Sequence, residues 1–190
     1  MIKTMNGFSI MDVFGLKMFG NMFPSSKEHA TIPDNKYEKY DLLVQTKKET
    51  KYIEIKCLSE VLPSTATHLI TKTDWDYLIS TPTGTKSLYV LFGDEATVIY
   101  DLKAMHHLDY YKILPRKNFK TEMLQGEKED QLYSVLQYDM AITAGIAKCY
   151  PHHGSIEKYG FSIKKLLKDI KDDTISSGDI MGLFKLLNEN

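Results

Sequence analysis

Asp41, Glu54 and Lys56 are the residues of this chain whose types and spacing best suit chemistry. They lie in residues 39–57, KYDLLVQTKKETKYIEIKC, where two apolar runs flank the charged stretch Lys47-Lys48-Glu49-Thr50. Side chains alternate faces along an extended strand, so Glu54 and Lys56 share one face while Ile53, Ile55 and Cys57 take the other. Folding the two runs together as a hairpin brings Asp41 to that same place. Two carboxylates then offer hard oxygen ligands to a divalent cation, and the ammonium is placed to act on a water that the cation activates. Hydrolysis of a phosphodiester needs that equipment. The plainer alternative is a solvated strand face on which lysine and glutamate happen to alternate. Against it stands the apolar character of both runs, because a charge embedded there costs free energy unless something uses it.

The elements around these residues follow from periodicity and turn chemistry. Residues 8–23, FSIMDVFGLKMFGNMF, carry apolar side chains at helical spacing, and Pro24-Ser25-Ser26 closes the segment. Residues 25–36 read as a polar connector. Beyond the hairpin, Thr71 with Asp74, or Thr73 with Asp76, forms a capping-box pattern opening a helix over about Asp74 to Ser80 that buries Trp75, Leu78 and Ile79. Ser87 to Phe92 and Ala96 to Asp101 read as a strand pair joined by Gly93-Asp94-Glu95. Leu132 to Tyr138 fits a late strand or a short helix, and the tail from Ser155 reads as helical. The class is α/β (α+β): a central mixed sheet flanked by helices. Residues 1–150 are expected to form the core and residues 151–190 a helical extension packed on or beside it.

Composition narrows the classes. At 190 residues with 43% hydrophobic content, the chain can bury a sizeable core. Its net charge of −1 excludes a generally basic nucleic-acid coat, so any contact with DNA or RNA must run through a local patch. Arg116 is the single arginine among 24 basic residues, which leaves one position for the bidentate reading of guanine. Cys57 and Cys149 make no disulfide framework. With no apparent signal peptide and no apolar stretch of membrane-spanning length, the expectation is a cytoplasmic protein without a membrane partner. No glycine-rich phosphate loop and no nucleophile elbow is present.

The run Asp41…Glu54-Ile55-Lys56 resembles the PD-(D/E)xK nuclease superfamily, whose fold is that of restriction endonucleases. The likeness covers about residues 36–102 in the order of elements and rests on three positions in detail. It implies that Asp41 and Glu54 bind a metal together with the main-chain carbonyl of Ile55, and that Lys56 orients or deprotonates the attacking water. It further implies a DNA endonuclease that uses Mg²⁺, with Mn²⁺ as a substitute, and leaves open a junction resolvase, a nickase or an RNA endonuclease. A homodimer follows if both strands of a duplex are cut, since one such site cuts one strand. This chain departs from the pattern in placing Tyr40, not proline, before the first acid, while Pro33-Asp34 stands upstream. Many members add an upstream glutamate, for which Glu28 and Glu38 are the candidates.

Two further clusters remain. Residues 110–120 hold Lys112, Arg116, Lys117 and Lys120 among Tyr110, Tyr111 and Phe119 without an acid. That suits a surface tracking phosphates and stacking on bases, and equally a solvated connector. Cys149, His152 and His153 in CYPHHG lack the second spaced pair that a structural zinc site requires, so a loop with polar histidines is expected. His68 is free to face the site, but nothing requires it.

Overall fold

The computed structural model describes residues 10–33, 38–58, 61–62, 67–117, 130–152 and 162–172. Along the chain these form α1 (Ile10–Met22), α2 (Pro24–Lys27), β1 (Ala30–Thr31), β2 (Leu42–Gln45), β3 (Thr50–Cys57), β4 (Leu69–Thr71), α3 (Lys72–Ser80), β5 (Lys86–Phe92), β6 (Ala96–Asp101), α4 (Leu102–His107), β7 (Tyr111–Lys117), β8 (Asp130–Leu136), α5 (Tyr138–Thr143), β9 (Ala147–Pro151) and α6 (Ile163–Lys171). A six-stranded mixed sheet runs β1-β2-β3-β5-β6-β9, and a three-stranded sheet runs β4-β8-β7. The architecture is the mixed α/β class read from the sequence. The expected succession of acid-bearing strand, Glu-x-Lys strand, helix and strand pair is realised as β2, β3, α3 and β5–β6.

The hairpin forms because its turn satisfies itself. The Thr46 hydroxyl accepts hydrogen bonds from the N–H groups of Lys48 and Glu49, and Thr46 N–H donates to the Glu49 carbonyl at 2.9 Å. Strand β2 pairs antiparallel with β3 in a register that sets Leu42 opposite Ile53. Strand β3 pairs parallel with β5, which demands a crossover between them, and α3 lies in it.

Alternation along β3 divides the interior. Ile53 and Ile55 point into one core with Leu42, Val44, Val90 and Phe92, covered by Phe14, Met18 and Phe19 of α1 and by Ile163 and Leu166 of α6. The opposite face supports a second core of Trp75, Leu78, Tyr89, Leu91, Tyr100 and Met105, joined by Ile70 and Leu136 from the smaller sheet. Gly15 lets α1 lie close on the sheet, since a Cβ there would stand 2.7 Å from Ile55 Cγ2. Helix α6 is fixed at its start by Asp94, whose carboxylate accepts from Ile163 N–H at 2.7 Å, Lys164 N–H at 3.2 Å and the Ser162 hydroxyl at 2.7 Å.

Several segments differ from the sequence reading, among them the polar connector expected over residues 25–36, which holds α2 and β1. Residues 111–117 are a strand, not a connector; β7 pairs antiparallel with β8 from Tyr111–Leu136 out to Lys117–Asp130. Pro115 masks it in the sequence, but β7 is the edge of its sheet, where a missing N–H removes no ladder bond on the open side. Cys149 belongs to β9, opposite Val98 of β6, rather than to a loop. Its pairing partner lies some fifty residues upstream, beyond the reach of local pattern. Among the described residues no helix is long and apolar enough to cross a membrane.

Candidate functional site

Asp41 stands one residue before β2, and continuing the Leu42–Ile53 register sets it opposite Glu54. Two hydrogen bonds hold it there. Asp41 N–H donates to the Ile53 carbonyl at 2.8 Å, and Asp41 Oδ2 accepts from Ile55 N–H at 2.7 Å. The acid thus extends the ladder just before β2 begins. A strand residue sends its N–H and C=O to the same side, so the Ile55 carbonyl also opens toward Asp41.

Glu54 is only 8% exposed, on the core face shared with Tyr89 and α3, and Tyr89 is its register partner on β5. Lys56 lies two residues on, its side chain half exposed, with Nζ 3.3 Å from Glu54 Oε1. Burial pushes the Glu54 carboxyl up to about 8. The negative charges of Asp41 and Asp74 add to that rise, and Lys56 works against it. The Tyr89 hydroxyl, raised above its usual range chiefly by burial, feels the same four charges and donates to the Leu69 carbonyl at 2.7 Å.

Asp74 is the residue that sequence reasoning passed over. It sits in the first turn of α3, where Thr71 accepts from its N–H at 3.2 Å and donates its hydroxyl to Asp74 Oδ2. Lys39 Nζ lies 3.8 Å from Asp74 Oδ1. The sequence signal was the capping box itself, which accounts for an acid at that position without any further role. Asp74 loads the site electrostatically from a distance: among the described residues no three acids, histidines or cysteines come close enough to share a metal.

The donor set therefore consists of two carboxylates from adjacent strands and one main-chain carbonyl, all oxygen. Such a set fits Mg²⁺, which binds through one or two carboxylates and keeps several waters. A cation there would also offset the crowding of negative charge around a buried glutamate.

Other candidates fall elsewhere. Glu28 is exposed at the end of α2, and the charge of Glu38 helps raise the Tyr77 hydroxyl. His68 does not face the site. It is buried between the Tyr100 hydroxyl at Nδ1 and the Val61 carbonyl, 2.7 Å from Nε2, and burial pushes its pKa down. Lys112 is exposed on β7, the backbone of β7 includes Arg116 and Lys117, and Lys120 and His153 lie outside the described residues.

No protein-family model matches the chain, and no curated protein matches it in sequence. One solved structure is similar in its coordinates. It is the Holliday junction resolvase Hjc of Archaeoglobus fulgidus, an archaeal hyperthermophile, at 10% identity, with a TM-score of 0.41 over 70% of this chain and 96% of that one.

Proposed function

We propose that this chain is a metal-dependent DNA endonuclease with a restriction-endonuclease-like core, acting through Asp41, Glu54 and Lys56. The observation that carries the proposal is the convergence of a buried glutamate, a cross-strand aspartate and a lysine 3.3 Å away at the end of one hairpin. Asp41, Glu54 and the Ile55 carbonyl would hold Mg²⁺ or Mn²⁺. When bound, the cation supplies Lewis-acid stabilisation of charge building on phosphate oxygens and eases loss of a proton from water. Lys56, tethered to Glu54 and half in solvent, orients the attacking water and balances negative charge at the scissile phosphate. Asp41 keeps one oxygen on Ile55 N–H, which fixes the carboxylate for in-line attack rather than leaving it to be ordered on binding. One such site cuts one strand, so duplex cleavage calls for a homodimer.

The test is to incubate the purified chain with supercoiled plasmid, a four-way DNA junction and structured RNA, in Mg²⁺, Mn²⁺ or EDTA. Metal-dependent cleavage of any DNA supports the reading, and the preferred substrate separates endonuclease, nickase and resolvase. Cleavage of RNA alone would replace DNA with RNA. No cleavage of any of the three would contradict catalysis.

One observation favours a second reading. Asp41 is already bonded to Ile55 N–H and Glu54 to Lys56, so the three residues also work as a structural ion pair in a silent binding module. That reading makes Glu54→Ala destabilising and indifferent to Mg²⁺. The nuclease reading makes the metal-free variant no less stable and abolishes its thermal response to Mg²⁺.

A further inference from the structure

The sheet face that packs on α1 does not stay apolar along its whole length. Around Val90 and Phe92 it is core, but at its other end it turns cationic. Alternation puts Lys51 on the row of Ile53 and Ile55, and Lys86 on the row of Leu88 and Val90. The register sets Lys51 against Lys86, and Lys148 of β9 against Ile99 of β6. Beside the end of α1 these residues line a cavity of about 410 Å³. Leu88 and Ile99 form its apolar floor. Two aromatic rings line it as well: Phe23, packed on Phe19 with ring centroids 4.8 Å apart, and Tyr150, which is 37% exposed. The hairpin site makes no use of this cavity, since Glu54 and Lys56 lie on the opposite face of β3.

Charge decides what fits. Three ammonium groups share the cavity with one carboxylate, Asp101, which is already engaged as the cap of α4, accepting from Ala104 N–H at 3.1 Å. Glu49 holds Lys51 and Lys86 together, at 2.5 Å and 3.5 Å. Lys148 has no carboxylate partner among the described residues. A recess lined by cations over an apolar floor concentrates anions that carry an apolar part.

We propose that this cavity binds the monophosphate of a nucleoside, with its phosphate on the lysines and its base on Tyr150 and Phe23. Neither the cavity nor its charges depend on the nuclease reading. Ammonium groups hold phosphate as point charges, and every base offers a face to an aromatic ring. The volume suits a small ligand and is too little for a duplex. A free nucleotide and the phosphorylated end of a DNA strand offer the same chemistry, and the experiment separates them.

The experiment is calorimetric titration of the full chain in EDTA with dAMP, deoxyadenosine, inorganic phosphate and a 5′-phosphorylated dinucleotide. Wild type is compared with Lys86→Gln/Lys148→Gln and with Lys56→Ala. Melting temperatures check folding, and Lys148→Gln alone serves should the double variant fold poorly. We expect wild type and Lys56→Ala to bind dAMP alike, with a dissociation constant below about 1 mM. The double variant should bind it at least about tenfold more weakly, as should the wild type deoxyadenosine or inorganic phosphate. Binding of the dinucleotide alone, lost in the double variant, keeps the site and names a strand end as its source. No binding of either phosphate ester overturns the proposal. Inorganic phosphate as tight as dAMP leaves the rings without a role and overturns it; deoxyadenosine as tight as dAMP does the same for the lysines. Unchanged affinity in the double variant, or loss in Lys56→Ala, places the ligand elsewhere and overturns it too.

Discussion

At the scale of single residues, Glu54 is a carboxylate that the protein buries at a cost. Its folded-state pKa lies at about 8 and is raised, so the native state keeps a proton that the unfolded chain releases near 4.5. Stability from this group is full below about pH 4.5 and is lost as pH rises through about 8. In EDTA, the melting temperature of the wild type should therefore fall between pH 5 and 9, while Glu54→Gln, which carries no charge, should lose that slope and be more stable at pH 9 by about 1–3 kcal/mol. Mg²⁺ should restore the wild type at pH 9 and leave the variant unmoved. Thermal melts in a pH series check both. His68 works on the other limb. Its pKa is lowered, so its contribution is present above about 6.5 and is lost as pH falls toward the folded value. His68→Phe leaves the Val61 carbonyl and Tyr100 hydroxyl without their partner and should cost about 1–3 kcal/mol, measured by urea unfolding at pH 7.5. Asp41, Glu54 and Lys56 were legible because alternation on an apolar strand is a local pattern. Asp74 was not, because its cap with Thr71 explains it completely at the level of sequence.

Among elements, β3 carries both the chemistry and the packing, with Glu54 and Lys56 on one face and Ile53 and Ile55 on the other. Pressure on one face reaches the other through the strand. Gly15→Ala would drive a methyl into Ile55 and should destabilise the fold by about 1–3 kcal/mol, whereas Gly20→Ala, with nothing within 4 Å, should be neutral or stabilising by up to about 1 kcal/mol. Chemical denaturation of the pair reads the contrast. If both changes were neutral, α1 would not lie on β3 as described. The hairpin, α1 and α3 could be read from the sequence because each is specified by its own spacing, turn and cap. Strands β7 and β9 could not. The first contains a proline and a run of cations, and its partner begins twelve residues after its end; the second pairs with β6 across four intervening elements. Long-range pairing, unlike periodicity, leaves no mark on a single strand.

For the whole molecule, the sheet separates two cores and gives each a different task. One binds α1 and α6 to the back of the hairpin; the other sets α3 and the smaller sheet beside Glu54. The charges that matter are local, since the net charge is −1. DNA binding should accordingly weaken between about 50 and 200 mM salt in proportion to the few phosphates contacted, with a slope smaller than that of a generally basic protein. A filter-binding salt series measures it, and a salt-independent affinity would mean that phosphates are not the ligands. The most direct measurement is the rate at which wild type and Lys56→Ala convert supercoiled plasmid in Mg²⁺, with EDTA as the blank. Catalysis through Lys56 predicts metal-dependent nicking or linearisation by the wild type and a loss of at least about 100-fold in the variant, whose melting temperature should stay unchanged. Equal rates in the two proteins, or equal rates with and without metal, would contradict it.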